Sequence, residues 1–297
     1  MSLTVTKGHG TRNDFVLVDG RGGVPVDAAL VRALCDRRAG VGGDGVLRLV
    51  PVAAVPDAGE QPGATWFMDY RNADGSISEM CGNGVRVTAH FARHLGLWDP
   101  ADGDLALGTR DGVKRVRAEV GPDGQPWYAV DMGRWTLPGG APAVAAGGDV
   151  HVTVRGWDVA RPGLSVSTGN PHVVVALPSE RVLESADLTA APALDPVPAA
   201  GANVELVVIL GMSDGVGRLR MRVHERGVGE TQSCGTGACA AAMAVRSWAG
   251  DDAPDVWLVD VPGGTLRVTA LPGGRVELAG PAVLVGDVTL DVEALDR

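Results

Sequence analysis

Cys81-Gly-Asn-Gly-Val-Arg-Val-Thr-Ala-His-Phe-Ala92 can be laid, at an offset of 153 residues, on Cys234-Gly-Thr-Gly-Ala-Cys-Ala-Ala-Ala-Met-Ala-Val245. The Cys, both glycines and a later alanine coincide. Each segment runs from a Gly-containing turn into small residues and helix formers, which predicts a helix opening at its cysteine. The copy extends upstream. Gly10-Thr-Arg-Asn13-Asp-Phe-Val16-Leu-Val18 resembles Thr168-Gly-Asn170-Pro-His-Val173-Val-Val175, with Asn13 falling on Asn170 at an offset of 157. In both, a turn carrying Asn leads into a β-branched run, which predicts a strand. The strand-like segment 66–70 before the first cysteine matches 219–223 before the second.

Two copies of about 150 residues do not fit a helical solenoid or a propeller, whose repeats are far shorter. They predict an α/β protein of two pseudo-symmetric domains, each a set of short strands packed around one helix. A Gly/Pro/Ala-rich stretch at 133–148 marks the boundary, giving a first half over 1–134 and a second over 135–280. An additional amphipathic helix is expected over 27–38, with Ala28, Leu30, Val31, Ala33 and Leu34 apolar.

The 297 residues suffice for two medium cores. A formal net charge of −10 with dispersed basic residues excludes an electrostatic nucleic-acid footprint. No window approaches the apolar length of a membrane span, and the first residues lack the apolar core of a signal peptide. A cytoplasmic protein is expected, in which Cys35, Cys81, Cys234 and Cys239 are free thiols. Lys7 and Lys114 are the only lysines. That scarcity nearly closes off lysine Schiff-base chemistry, including the attachment pyridoxal phosphate requires.

A Cys-Gly-x-Gly at a helix start places the sulfur beside unpaired backbone N–H groups. Those groups and the positive end of the helix dipole stabilise a thiolate. They also bind a carboxylate, and the glycines let it approach without an intervening Cβ. An isolated cytosolic cysteine is ordinarily a small buried hydrophobe, the reading taken for Cys35 and Cys239; duplication sets Cys81 and Cys234 apart. A related pair of thiols suits inversion of a stereocentre, because one thiolate removes a Cα proton while the opposing thiol delivers another to the far face.

Two further patterns are set aside. Gly40-Val-Gly42-Gly-Asp-Gly45 satisfies the dinucleotide fingerprint, but a helical pattern precedes it and the strand-like 46–50 follows, the reverse of the required context. His90 and His94 have helical i, i+4 spacing without a third ligand, and are expected on a solvated helix face, with no metal site.

Five linked segments resemble the diaminopimelate epimerase family. They are Gly8-His-Gly-Thr-Arg-Asn-Asp-Phe15, Tyr70-Arg-Asn-Ala-Asp-Gly75, Glu79-Met-Cys-Gly-Asn-Gly84, Gly169-Asn-Pro-His172, and Glu225-Arg-Gly-Val-Gly-Glu-Thr231 followed by Ser233-Cys-Gly-Thr-Gly237. They occur in that family's order from residue 8 to about 245, and the surroundings of Lys7, Cys35 and Arg222 look most like actinobacterial members. The resemblance implies two β-roll or barrel domains of mostly antiparallel strands, each around a central helix, with the site in a cleft between them. It also implies that C-terminal strands within 281–297 rejoin the first domain.

The activity implied is interconversion of LL- and meso-2,6-diaminopimelate, in lysine and peptidoglycan precursor biosynthesis, with no cofactor and no metal. Cys81 and Cys234 would be the acid/base thiols. The backbone of Gly82-Asn83 and of Gly235-Thr236 would hold the reacting carboxylate. Glu225 and the Arg226 carbonyl would receive the ammonium. Asn72, Asn203 and the Arg226 guanidinium would hold the distal end, with Asn13 and Asn170 lining the cleft and His172 and Glu225 tuning the thiols. Some family members carry Gln just after the Asp of the Gly-rich loop; here that place is Gly45. The partner implied is a small-molecule substrate, with neither nucleic acid nor membrane expected and a homodimer left open. A proline or hydroxyproline racemase on the same fold is the nearest rival reading. A redox-switch binding protein is a rival of another class.

Overall fold

The computed structural model describes residues 2–122 and 124–295. The chain forms two compact units, one made of Met1–Val130 with Gly280–Arg297 and the other of Asp131–Ala279.

In the first unit the elements run β1 (Ser2–Gly10), β2 (Asn13–Asp19), α1 (Ala28–Cys35), β3 (Gly45–Pro51), β4 (Trp66–Asn72), α2 (Gly82–His94), β5 (Leu105–Thr109), β6 (Gly112–Val120) and β7 (Pro126–Arg134), the last running on past the unit's boundary. β1 and β2 pair antiparallel, β2 and β3 parallel, β3 and β4 antiparallel. β4 and β5 pair parallel, and β5, β6 and β7 close the run antiparallel. Each parallel pair is bridged by a helix, as such crossovers require.

The second unit contains α3 (Gly140–Ala145), β8 (Val150–Thr153), β9 (Arg161–Ser167), β10 (Pro171–Ala176), α4 (Glu180–Glu184), β11 (Ala193–Asp195), β12 (Asn203–Ser213), β13 (Val216–Glu225), β14 (Gly229–Thr231), α5 (Gly235–Ala249), β15 (Val256–Val261), β16 (Gly264–Leu271) and β17 (Arg275–Pro281). Its strands repeat the pattern. β9 and β10 pair antiparallel, β10 and β12 parallel, β12 and β13 antiparallel, β13 and β15 parallel, and β15 to β17 antiparallel. β18 (Val283–Asp291) pairs antiparallel with β1, so the C-terminal strand belongs to the first unit, followed by α6 (Val292–Leu295).

The duplication read from the cysteines is therefore a duplication of topology. α2 packs against β1 to β6 and β18, and α5 against β9, β10, β12, β13, β15 and β16. Both helices are buried on nearly every face over their first ten residues, as expected of a helix at the centre of a strand roll.

α1 stops at Cys35 rather than continuing to 38. The Asp36 carboxylate accepts from the backbone N–H groups of Arg38 and Ala39, a local alternative to the next helical turn. Among the described residues no helix is long and apolar enough to cross a membrane.

Candidate active site

Cys81 and Cys234 are each the N-cap of the central helix of their own unit. Both have extended backbones, with φ/ψ of −144°/121° and −125°/116°. That conformation swings the sulfur over the first turn, where Sγ of Cys81 accepts from the Gly84 N–H and Sγ of Cys234 from the Gly237 N–H, each at 3.4 Å. A thiol thus takes the place of the usual Ser, Thr, Asp or Asn cap oxygen. Gly82 and Asn83, and likewise Gly235 and Thr236, occupy the first two positions of their helices, at the end toward which helix amide N–H groups point.

In the first unit Asn13 organises the surroundings of Cys81. Its Oδ1 lies 3.7 Å from the Cys81 sulfur and accepts from the Asn83 amide at 3.1 Å. Its Nδ2 donates to Asp44 at 2.7 Å, which fixes the orientation of the amide. Asp44 also accepts from the backbone N–H of Asp14, and Arg37 bridges the two carboxylates with contacts of 2.8 Å to each. Burial raises the Asp44 carboxyl above its ordinary range. Burial acts to raise Asp14 too, but hydrogen bonds from Arg37 and Lys7 outweigh it and hold that carboxyl at about 2.

Cys234 is 6% exposed and lies among carboxylates. Burial, then the charges of Glu225 and Glu205, push its thiol well up, while the Thr236 hydroxyl and Gly237 N–H pull the other way. Glu225 is raised chiefly by burial, opposed by hydrogen bonds from the Thr231 hydroxyl at 2.5 Å and from the Cys234 thiol. Thr236 Oγ1 is 3.5 Å from the Cys234 sulfur and accepts from Asn170 Nδ2 at 3.4 Å. Asn170 Oδ1 faces His172 Nε2 at 2.9 Å, and His172 Nδ1 faces Glu205 at 2.7 Å. Asn203 Oδ1 accepts from the Arg226 backbone N–H at 2.9 Å, and the exposed Arg226 guanidinium reaches the Ala200 carbonyl.

The expected residues thus fall into two clusters. Asn13 and Asn83 gather at Cys81; Asn170, His172, Thr236 and Glu225 gather at Cys234, with Asn203 and Arg226 joined to them through His172 and the chain after Glu225. Asn72 ends β4, with its amide donating to Ser76 at 3.0 Å.

Gly45 faces it across the strand pair. A Cβ at position 45 would lie 2.7 Å from the Tyr70 ring and closer still to the Arg71 carbonyl. The missing Gln therefore has a steric counterpart, and the neighbouring Asp44 contacts Asn13.

Two residues carry contacts that sequence reading did not assign, Asp44 toward Asn13 and Glu205 toward His172. The signal available for Glu205 was a single acid inside the apolar run that follows Asn203. The histidine reading needs one correction. His94 is exposed, but His90 is half-buried and bonded through Nδ1 to the Tyr128 hydroxyl at 2.6 Å, because the Tyr128 side chain of β7 reaches that side of α2. Among the described residues no group of three or more His, Cys, Asp or Glu is placed to hold a metal ion. Cys35 and Cys239 are buried and not joined in a disulfide, and burial pushes the Cys35 thiol to about 12.

The fold places the chain in a class of two-unit α/β proteins of known structure. It is similar to a Bacillus anthracis phenazine biosynthesis protein of the PhzF family, with a TM-score of 0.68 and 16% identity over 98% of this chain and 99% of that one. It is also similar to a probable proline racemase from Agrobacterium radiobacter, with a TM-score of 0.62 and 15% identity over 97% and 93%. Likenesses at that identity establish the fold alone.

Sequence narrows the class to one family. The family model for diaminopimelate epimerase matches residues 5–138 and 164–285. The diaminopimelate epimerase of Streptomyces coelicolor is 47% identical over 97% of this chain and 96% of its own length, and that of Thermobifida fusca is 47% identical over 97% and 98%. The chain belongs to the diaminopimelate epimerase family.

Proposed function

We propose that this protein is an isomerase that interconverts LL- and meso-2,6-diaminopimelate by two-base transfer of the Cα proton, with Cys81 and Cys234 as the bases and no cofactor. The observation that carries this reading is the repeated cap. In a member of this family, each half of a duplicated fold presents a cysteine in the same geometry at the N-terminus of its central helix.

The chemistry follows from the needs of the reaction. Inversion requires a base on one face of Cα and an acid on the other; the thiolate that takes the proton in one direction is the thiol that gives it in the other. A Cα–H is far less acidic than a thiol, and each unit of mismatch costs about 1.4 kcal/mol. Amide N–H groups at Gly82-Asn83 and Gly235-Thr236, held rigidly by their helices, would bind the substrate carboxylate and stabilise charge developing on it. Exclusion of water would strengthen those interactions.

Glu225, with the Arg226 carbonyl, would take the reacting ammonium. That cation would offset the negative charge that keeps the proton on Cys234. Asn72, Asn203 and the Arg226 guanidinium would clamp the distal amino-acid end, which a proline-type substrate lacks.

Chiral chromatography after incubation with LL-diaminopimelate, meso-diaminopimelate, L-proline and trans-4-hydroxy-L-proline tests the assignment. Epimerisation of both diaminopimelate isomers and neither imino acid is expected. Turnover of an imino acid with diaminopimelate left unchanged would replace this reading with the racemase one. Binding of diaminopimelate by fully reduced protein, without any exchange of its Cα proton, would favour a binding protein.

A further inference from the structure

Residues of the two units correspond through strand register. The parallel pair β2 and β3 sets Phe15 opposite Gly45 and Leu17 opposite Leu47. The parallel pair β10 and β12 sets His172 opposite Asn203 and Val174 opposite Glu205. Phe15 and His172 are related by the offset that relates Asn13 to Asn170. Leu47 accordingly stands where Glu205 stands, and their neighbours agree. A Cβ on Gly84 would meet Leu47 Cδ2 at 3.2 Å, and a Cβ on Gly237 would meet Glu205 Oε1 at 2.7 Å. The cysteine of one unit is thus backed by two apolar side chains, and that of the other by an imidazole and a carboxylate that are 1% and 0% exposed.

Burying such a pair is costly, and replacing one with apolar residues of similar volume is often neutral or stabilising. The fold itself makes that replacement at Phe15 and Leu47. Its architecture does not require the charged pair, so the pair calls for another role.

The contacts of His172 suit a charged ring. Asn170 Nδ2 points to Thr236 Oγ1, and its Oδ1, which also accepts from the Thr168 hydroxyl at 3.3 Å, meets His172 Nε2. Nδ1 meets the Glu205 carboxylate at 2.7 Å. The Asn203 amide nitrogen lies 3.5 Å from the same Nδ1, a longer approach than that of the carboxylate. Both ring nitrogens then face acceptors, an arrangement that an imidazolium would satisfy with its two N–H groups. Glu205 Oε2 has no hydrogen-bond partner among the described residues, so His172 is the only group that compensates this carboxylate through a hydrogen bond there. The other titratable groups nearby are Glu225, on which the His172 charge acts, and Cys234, on which the Glu205 charge acts.

We propose that Glu205 is a positioning residue, which holds His172 as an imidazolium and so fixes the amide of Asn170 and, through Thr236, the polar surroundings of Cys234. The contacts run 2.7, 2.9, 3.4 and 3.5 Å from Glu205 to the sulfur. With Asn170 donating to it, the Thr236 hydroxyl has its own proton free for Cys234, which favours the thiolate as it forms. The link from this chain to turnover rests on the reaction proposed above; the charge state of His172 does not.

Nitrogen NMR of the full-length protein labelled at its six histidines tests the proposal. His172 should show two protonated ring nitrogens at pH 7 in the wild type and lose one of them at that pH in Glu205→Gln. A neutral His172 in the wild type, or an imidazolium indifferent to Glu205→Gln, would overturn the proposal. In parallel, Glu205→Gln should lower kcat for diaminopimelate epimerisation by about tenfold or more and leave KM within about threefold. The double variant His172→Phe/Glu205→Leu, which copies Phe15 and Leu47, should melt no lower than the wild type yet lose turnover. Full activity in that variant would show the pair to be structural. A wild type without epimerase activity would refute the proposed reaction, while the NMR comparison would still decide the role of Glu205.

Discussion

Asn13 and Asn170, equivalent by the duplication, present opposite ends of their amides to their surroundings. Asn13 gives its nitrogen to Asp44 and turns its oxygen toward Cys81; Asn170 gives its oxygen to His172 and turns its nitrogen toward Thr236. Fold symmetry therefore stops at the polar groups around the thiols. An acceptor near sulfur favours the thiol, and a donor favours the thiolate.

Asp44→Asn tests the first of these settings. The new amide can donate to Asn13, so that Asn13 no longer has to turn its oxygen toward Cys81. We expect kcat to fall by about tenfold with little loss of fold, since Arg37 retains Asp14 as a partner. Steady-state kinetics together with a thermal melt would check this, and unchanged kcat would contradict it.

The helix glycines give a paired test. Ala is favoured over Gly inside a helix by about 1 kcal/mol. At Gly84 the new methyl would meet only the mobile end of Leu47 and the Cys81 Cβ, at 3.2 and 3.4 Å, so Gly84→Ala should be close to neutral. At Gly237 it would lie 2.7 Å from the carboxylate of Glu205 and 3.3 Å from the Cys234 sulfur. Gly237→Ala should cost about 1–3 kcal/mol from overpacking and lower kcat as well. Urea unfolding of both variants would show the order, and equal stabilities would contradict it.

Acid should expose the contribution of Asp14. Its carboxyl is held at about 2 in the folded protein, below its ordinary value of 3.8. A depressed carboxyl stabilises the fold above its unfolded value and loses that contribution as pH falls through the folded one. Asp14→Asn should therefore be less stable than the wild type at pH 7, and the gap should close between about pH 4 and pH 2. Urea titrations across that range would reveal a gap that does not close.

Much of this was legible in the sequence because small residues and a cysteine mark each helix start, and β-branched runs mark the strands beside them. The repeated context of Cys81 and Cys234 was enough to predict two like units and two helix caps. Glu205 was not legible, because Asn203 to Val208 are buried without interruption. Such a strand has no polar–apolar alternation to show which residues face the helix. The contact of His90 with Tyr128 joins residues 38 apart in the chain, beyond the reach of helical spacing. The early end of α1 turned on one Asp36 side chain that competes with the helix for backbone N–H groups.

Removing either sulfur should stop the reaction. Cys81→Ser and Cys234→Ser each lose a group whose proton transfer contributes about 100- to 10,000-fold, and each should leave the fold intact, since serine is a good N-cap. Near-wild-type epimerisation by either variant, in folded protein, would contradict a two-thiol mechanism.

Deuterium incorporation from solvent tests the central claim most directly. Wild-type protein is incubated with LL-diaminopimelate in deuterated buffer, without added cofactor, and both isomers are analysed at early times by mass spectrometry. Two bases on opposite faces predict that each meso product molecule carries one solvent deuterium at the inverted carbon while unreacted LL substrate stays largely unlabelled. Product that retains the original hydrogen, or no conversion without an added cofactor, would contradict the account.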